Sequence, residues 1–248
     1  MNGYIELITG TLGGGKTAFA VEKIYDHLKS GGFVYTNIEV YPDEVEKRLA
    51  VEGLVFDRSR LVILLGDARE YSSQVSRGTT KKLVMLVVDE AGLDLNARDW
   101  AKTDKKFIAF NTMARKLDIH LIYISQDASD VDKQIRRKAE LVWVCRNLKK
   151  QKIWGVIPFP LPFYFRVCFD NTRGGGTSSK MYPQVVLKPS SWGLYNSNAM
   201  VGEVASQWVG MNQVDGSALE KLEHVRQQKR TALIEIIVIL CVSFYVSF

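Results

Sequence analysis

Residues 10–17 read Gly-Thr-Leu-Gly-Gly-Gly-Lys-Thr, and this stretch constrains the fold more than any other part of the chain. It fits the phosphate-binding loop pattern, in which glycine and any four residues precede Gly-Lys-Ser/Thr. The run Tyr4–Thr9 before it predicts a buried strand, and Ala18–Leu28 after it predicts a helix. A chance glycine-rich turn would not account for this strand and helix. The stretch therefore predicts a site for the phosphates of a nucleoside triphosphate.

Each residue type in this loop has a chemical role. Glycines let backbone N–H groups converge on phosphate oxygens, and the helix N-terminus adds partial positive charge. Lys16 is expected to reach the β- and γ-phosphates, and Thr17 to hold Mg²⁺. The pattern thus predicts ATP and Mg²⁺ as ligands. The predicted nucleotide-binding residues are Gly10, Thr11, Leu12, Gly13, Gly14, Gly15, Lys16, Thr17 and Ala18.

A second informative stretch begins about 70 residues later, where the apolar run Leu83–Val88 ends in Asp89 and Glu90. After a phosphate-binding loop, a buried strand that ends in Asp-Glu is typical of the Walker B motif. Asp89 is expected to hold Mg²⁺ through water, and Glu90 to orient and deprotonate the attacking water. Glu90 also indicates the RecA-like (ASCE) division of P-loop NTPases, in which an extra central strand accompanies a catalytic glutamate.

The predicted strand His120–Gln126 ends in a polar pair, where P-loop ATPases often place a γ-phosphate sensor. Gln126 is the candidate for that role. The alternative is an ordinary polar residue at a strand end, because the signal is short.

Strands and helices alternate up to residue 150, which predicts an α/β fold with a parallel sheet covered on both faces. Residues 67–82 are polar and suggest a flexible connection, and residues 91–105 suggest a loop. The helix Lys106–Lys116 is expected to bury Phe107, Phe110 and Met113. The other predicted strands are Phe33–Ile38, Leu61–Leu65 and Leu141–Arg146, and the other helices are Asp43–Val51 and Val131–Lys138.

The sequence pattern of residues 151–216 differs from that of the preceding residues. It predicts a small β-rich subdomain added to an ATPase domain of residues 1–150. Its expected strands are Ile153–Ile157, Phe163–Phe169 and Ser179–Val186. Gly174–Gly176 predicts a hairpin turn rather than a second phosphate cradle, because no Lys-Thr and no helix follow it. Aromatic residues near Lys149 could stack on nucleic acid, although packing within the subdomain is the better interpretation.

The C-terminal part predicts a polar juxtamembrane helix over 217–231 and a transmembrane segment over 232–248, which is apolar apart from Glu235 and two serines. The run is slightly short for a bilayer, so it suggests a tail anchor or a longer natural protein; the alternative is a buried helix. Basic residues before it place the N-terminal domain in the cytoplasm. The net charge of +6 mildly favours an acidic partner. The three cysteines show no metal spacing and fit a reducing compartment.

Several stretches together resemble the Zot family of filamentous-phage assembly ATPases, named after zonula occludens toxin. They are residues 10–17, Asp89–Gly92, Ala114–Lys116 before the next strand, and 131–146 with its Asp-Lys-Gln and following Arg. The resemblance implies a cytoplasmic ATPase domain with a single span in the bacterial host inner membrane. It also implies that the protein powers phage extrusion, exchanges a single-stranded-DNA-binding protein for coat protein, and docks with an outer-membrane secretin through a region absent from this chain.

The resemblance further implies a homo-oligomeric ring, hexameric or of similar size, in which an arginine of one subunit faces the neighbour's γ-phosphate. Arg115 and Arg136 are the preferred candidates for this catalytic role, beside Arg98 and Arg146. Each of them alone is more often a surface ion-pair residue.

Three other functions fit the same motifs. One is a DNA translocase of the FtsK/HerA type, which grips DNA directly. Another is a membrane scaffold that binds nucleotide only in order to assemble. The third is a secreted toxin-like fragment, which the family name suggests, but the peptides that it would need lie beyond the end of this chain.

Overall fold

The computed structural model describes residues 3–79, 83–95, 105–148, 152–153, 157–158, 164–170, 180–186 and 190–196. The predicted turn at Gly174–Gly176, the juxtamembrane helix, the transmembrane segment and Arg98 lie outside these residues. No helix in the described part of the chain is both long enough and apolar enough to cross a bilayer.

Strands and helices alternate as the hydrophobic pattern predicts. The helices are α1 (Lys16–Lys29), α2 (Pro42–Val51), α3 (Tyr71–Gln74), α4 (Ala91–Asp94), α5 (Lys105–Met113) and α6 (Lys133–Lys138). The first six strands are β1 (Ile5–Gly10), β2 (Phe33–Thr36), β3 (Leu61–Ile63), β4 (Val84–Val88), β5 (Ile119–Ile124) and β6 (Leu141–Asn147). The later strands are β7 (Lys152–Ile153), β8 (Ile157–Pro158), β9 (Tyr164–Asp170) and β10 (Lys180–Val186).

Eight of these strands form one sheet in the order β10-β9-β6-β1-β5-β4-β2-β3. The six from β6 to β3 are parallel, whereas β9 and β10 are antiparallel to their neighbours. Strand β5 lies between β1 and β4. The extra central strand that Glu90 indicated is therefore present. It separates β1, which leads into the phosphate-binding loop, from β4, which Asp89 follows.

Hydrophobic clusters cover both faces of the sheet, as the alternation of strands and helices predicted. Along β1, Ile8 belongs to the cluster beneath α1, and Leu7 belongs to the cluster beneath α5. Phe19 of α1 and Phe107 of α5 pack into these two clusters. A parallel strand that is apolar at nearly every position is expected when helices cover both of its faces.

Two polar stretches contain more structure than expected. Residues 67–82 were predicted to be flexible, but Tyr71 of α3 is 1% exposed and anchors this part of the chain in the core. The predicted loop after Glu90 begins with helix α4, whose Ala91 is fully buried. Short buried anchors of this kind lack the periodicity that identifies a long helix. Met113 is also different from expectation, since 45% of it is exposed at the end of α5.

Two strands of the β-rich extension, β9 and β10, continue the main sheet. Strand β9 pairs along its whole length with β6, and β10 pairs with β9. The predicted strand Ile153–Ile157 is instead two short strands, β7 and β8, that pair with each other. Hydrogen bonding explains why β9 pairs with β6, because β6 would otherwise present an open edge. The domain boundary at residue 150 stays a prediction.

Residues 190–196 form a strap across α1, α2 and the chain after β2. Leu194 is 1% exposed in the core, and its carbonyl oxygen accepts a hydrogen bond from the Tyr41 N–H at 2.8 Å. Arg48 of α2 donates to the carbonyl oxygens of Ser190 and Trp192. The strap therefore belongs to the same folded unit as the N-terminal part of the sheet.

Candidate nucleotide-binding site

The loop that follows β1 has the tight backbone that its glycines predicted. Gly10 and Gly15 have φ values of 143° and 89°, a region that L side chains rarely adopt. A side chain at Gly10 would also overlap the carbonyl oxygen of Cys145 on β6. The loop is therefore held against a neighbouring strand, and its glycines cannot be replaced without moving it.

Helix α1 begins at this loop without a side-chain cap. Gly15 is the N-cap residue, and no side chain bonds the first N–H groups. The Phe19 N–H bonds the Gly15 carbonyl at 3.0 Å, so the N–H groups of Lys16, Thr17 and Ala18 are the ones without an acceptor inside the helix. An uncapped helix N-terminus of this kind is suited to bind phosphate oxygens.

The Lys16 side chain folds back over the loop. Its Nζ donates to the carbonyl oxygens of Gly10 and Thr11 at 2.9 and 3.3 Å, and the residue is 6% exposed. The ammonium group thus lies above the carbonyls, where it can interact with an anion that enters the loop.

Thr17 and Asp89, the two predicted metal ligands, are in contact. Thr17 Oγ1 donates to Asp89 Oδ2 at 2.8 Å, although the residues come from different elements. Burial raises the pKa of Asp89, while the Thr17 hydrogen bond opposes that shift. A hydroxyl and a carboxylate are hard oxygen ligands, so this pair fits Mg²⁺ at the edge of a phosphate site.

Asn37 is a site residue that sequence analysis missed. It follows β2, and its side chain bonds both backbone groups of Asp89. Nδ2 donates to the Asp89 carbonyl at 3.0 Å, and Oδ1 accepts from the Asp89 N–H at 2.7 Å. An asparagine just after a strand is a usual turn residue, so only the pairing of β2 with β4 reveals this role.

Glu90 occupies an unusual backbone conformation beside Asp89. Its φ of 50° and ψ of 40° lie in the left-handed region, and its N–H donates to Asp89 Oδ1 at 2.9 Å. Such a conformation costs a non-glycine residue about 1 kcal/mol or more and is frequent at functional sites. The backbone of Glu90, whose side chain is partly exposed, is therefore fixed relative to Asp89.

Gln126 lies next to the loop through its backbone. It is exposed in the turn after β5, and its carbonyl oxygen accepts from the Gly10 N–H at 3.3 Å. This places Gln126 between the ends of β1 and β4. Its role as a γ-phosphate sensor stays a prediction.

The two preferred arginines have different surroundings. The charge of Arg136 in α6 helps to lower the pKa of Asp127, which hydrogen bonds from Ser129 lower most. Arg115 pairs with Glu140 at 3.5 Å beside the amino ends of β1 and β6. Within one chain, Arg115 thus lies away from the phosphate-binding loop, whereas Arg146 of β6 directly precedes Asn147, which bonds that loop. The role of either in a neighbouring subunit stays a prediction.

The loop also meets β9, which no motif predicted. The Tyr164 ring lies against Gly15, and Asn147 Nδ2 donates to the Gly13 carbonyl oxygen at 3.3 Å. In sequence, Tyr164 is one aromatic residue among many in the β-rich extension.

Comparison with known proteins finds relatives among phage proteins. The chain is 36% identical over 154 residues to the "Gene 1 protein" of Escherichia phage If1 and 35% identical over 161 residues to that of Salmonella phage IKe. These alignments cover 59% and 60% of this chain, but only 42% of each relative.

Among solved structures, the N-terminal domain of zonular occludens toxin from Neisseria meningitidis is similar, with a TM-score of 0.49 and 15% identity. That match covers 79% of this chain and all of the other.

The family model described as zonular occludens toxin (Zot) matches residues 4–167, which include the loop, Asp89, Glu90 and the start of β9. Because this match spans well over half of the sequence, the chain belongs to the Zot family.

Proposed function

We propose that this chain is a Mg²⁺-dependent ATPase that is anchored in the bacterial inner membrane and powers assembly and extrusion of a filamentous phage. The observation that carries the ATPase part is the contact between Thr17 and Asp89 beside an uncapped helix N-terminus. The Zot membership and the phage proteins among its relatives support the assembly role. The alignments span about two fifths of the length of those relatives.

The residues divide the expected chemistry among them. The N–H groups of Lys16, Thr17 and Ala18 and the Lys16 ammonium bind the phosphates. Mg²⁺, held by Thr17 and Asp89, would supply neutralisation of phosphate charge. Glu90 accepts a proton from water, and Gln126 contacts the γ-phosphate.

In a ring of such subunits, Arg136 or Arg115 would complete the site of a neighbour, which would make hydrolysis dependent on assembly. The N-terminal domain would then be cytoplasmic, with a single membrane span. The phage coat protein, the complex of DNA with its binding protein, and an outer-membrane secretin are the proposed partners.

The test is steady-state ATP hydrolysis by the full chain, with oligomer size recorded in the same samples. Lys16→Ala is expected to lose ATP binding, because the ammonium and its phosphate contacts disappear. Glu90→Gln is expected to keep binding and lose hydrolysis by 100-fold or more, of the order typical for removal of a general base. Lys47→Ala, a change on the exposed face of α2, serves as the charge control.

Addition of single-stranded DNA separates the extrusion motor from a DNA translocase, which would hydrolyse ATP faster on DNA. If the oligomer binds ATP but does not turn it over, the motor proposal is wrong and a nucleotide-dependent scaffold takes its place.

A further inference from the structure

A cross-strand pair at the carboxyl end of β6 and the amino end of β9 touches the phosphate-binding loop from the side. Asn147 of β6 and Tyr164 of β9 are direct partners in the ladder. Asn147 bonds the Gly13 carbonyl, and a Cβ atom at Gly15 would lie 2.5 Å from Tyr164 Cδ1. The Tyr164 ring therefore packs directly on the backbone of the loop, while the residue is only partly buried.

The order of the strands indicates which part of a bound nucleotide would face this side of the loop. Asp89 and Glu90 follow β4 and Gln126 follows β5, so all three lie on one side of β1. Tyr164 lies on the opposite side, beyond β6. A triphosphate whose γ-phosphate faces Asp89 and Glu90 must direct its nucleoside away from them, which is towards β6 and β9.

We propose that the Tyr164 ring stacks on the base of the nucleotide whose phosphates occupy the loop. This inference rests on the proposed nucleotide site and adds the group that recognises the nucleoside. Every base has a π-face, so the stack adds affinity for a nucleotide over its phosphates alone but discriminates little between adenine and guanine.

The experiment measures affinities of the full chain for three Mg²⁺-bound probes by calorimetry. These are the non-hydrolysable analogues AMPPNP and GMPPNP, and inorganic tripolyphosphate, which has the phosphates without the nucleoside. Tyr164→Ala is expected to weaken both analogues about tenfold or more, the range found for loss of a base–aromatic stack. Its affinity for tripolyphosphate is expected to be unchanged.

Two controls isolate the ring. Tyr164→Phe keeps the ring and is expected to bind like the wild type. Tyr182→Ala makes the same truncation on β10, where the residue is 48% exposed, and is expected to change no affinity. In the wild type, a transferred NOE between the base protons of AMPPNP and a tyrosine ring is expected, and Tyr164→Ala removes it.

The possible results separate the inference from the proposed function. If the wild type binds neither an analogue nor tripolyphosphate, the nucleotide site itself is wrong. If the analogues bind and Tyr164→Ala leaves their affinity unchanged, or if it weakens tripolyphosphate by the same factor, the stacking proposal is overturned. Absence of the NOE in the wild type overturns it as well, whatever the stability of the variants.

Discussion

At the scale of single residues, the site depends on groups that hold other groups in place. Asp89 is fixed by the Thr17 hydroxyl at its carboxylate and by the Asn37 amide at its backbone. Glu90 then starts from a left-handed backbone whose N–H bonds that same carboxylate. The proposed metal ligand and the proposed base are thereby held in a fixed relation to each other.

Glu6 is another buried charge, and it lies near the amino end of β1. It is 1% exposed within β1, with Lys23 Nζ at 3.0 Å and His120 Nε2 at 3.4 Å from its carboxylate oxygens. Burial raises the pKa of Glu6, but contact with His120 and the charge of Lys23 outweigh burial and lower it to about 2. The ordinary value is 4.5.

We predict that Glu6 makes the fold sensitive to acid. Because its folded-state pKa is lowered, its contribution to stability is present above about pH 4.5 and is lost as the pH falls towards 2. Glu6→Gln should lower the free energy of unfolding by roughly 3 kcal/mol at pH 7, and this difference should shrink towards zero near pH 2.5. Urea unfolding of both proteins across this pH range measures it.

The control is Glu44→Gln, which removes an exposed carboxylate of α2 and should cost well under 1 kcal/mol. A difference between wild type and Glu6→Gln that stays constant from pH 7 to pH 2.5 would contradict the prediction.

At the scale of elements, α1 joins the loop to the later part of the chain. Glu22 accepts hydrogen bonds from Arg166 of β9 at 2.6 Å and from the Ser190 N–H of the strap at 2.9 Å. The Arg166 guanidinium also lies 4.2 Å from the centre of the Phe19 ring. The helix that begins at the phosphate site is therefore fixed by two segments more than 140 residues away.

We predict that Arg166 and Glu22 are strongly coupled. Arg166 is 3% exposed, so Arg166→Met should leave Glu22 without its buried cation and destabilise the fold by about 3 kcal/mol. The double variant Glu22→Gln/Arg166→Met should regain at least half of that loss, because no unpaired charge remains. A double-mutant cycle in denaturant unfolding measures the coupling.

The exposed pair Lys47–Glu44 gives the comparison cycle, with an expected coupling of about 0.5 kcal/mol or less. If the losses at Arg166 and Glu22 simply add, the two side chains act independently and α1 is not held in this way.

At the scale of the whole molecule, the folded unit extends past the nucleotide-binding motifs. The described residues, up to Asn196, belong to one compact unit. Cys168 and Leu194 lie in the same hydrophobic cluster as Phe19 and Ile24 of α1. Residues after position 150 thus help to bury the hydrophobic core that the first 150 residues contribute.

We predict that a fragment of residues 1–203 unfolds cooperatively, whereas residues 1–150 alone do not. The shorter fragment exposes the edge of β6 and uncovers Trp143 and Cys145, which are buried in the full fold. Thermal unfolding followed by circular dichroism, with limited proteolysis, compares the two. A stable, cooperative fragment of 1–150 would instead support the domain boundary that the sequence suggested.

Motif and periodicity were enough to predict the loop, the pair Asp89–Glu90, the alternating elements and the extra central strand. These depend on local spacing, since a buried parallel strand must be apolar and a phosphate loop must be rich in glycine. The same reasoning could not find Asn37, Tyr164 or the strap. Their roles depend on which strands become neighbours, and hydrogen bonding across the sheet decides that.

The sequence by itself therefore determined which residues form the candidate phosphate site, because all of its motif residues lie within short stretches. Only the tertiary structure decided what surrounds them. It paired Arg115 with Glu140, added β9 and β10 to the main sheet, and set Tyr164 against Gly15. The physical reason is that open strand edges and half-covered apolar faces are satisfied by whichever distant segment completes them, and local patterns do not specify that segment.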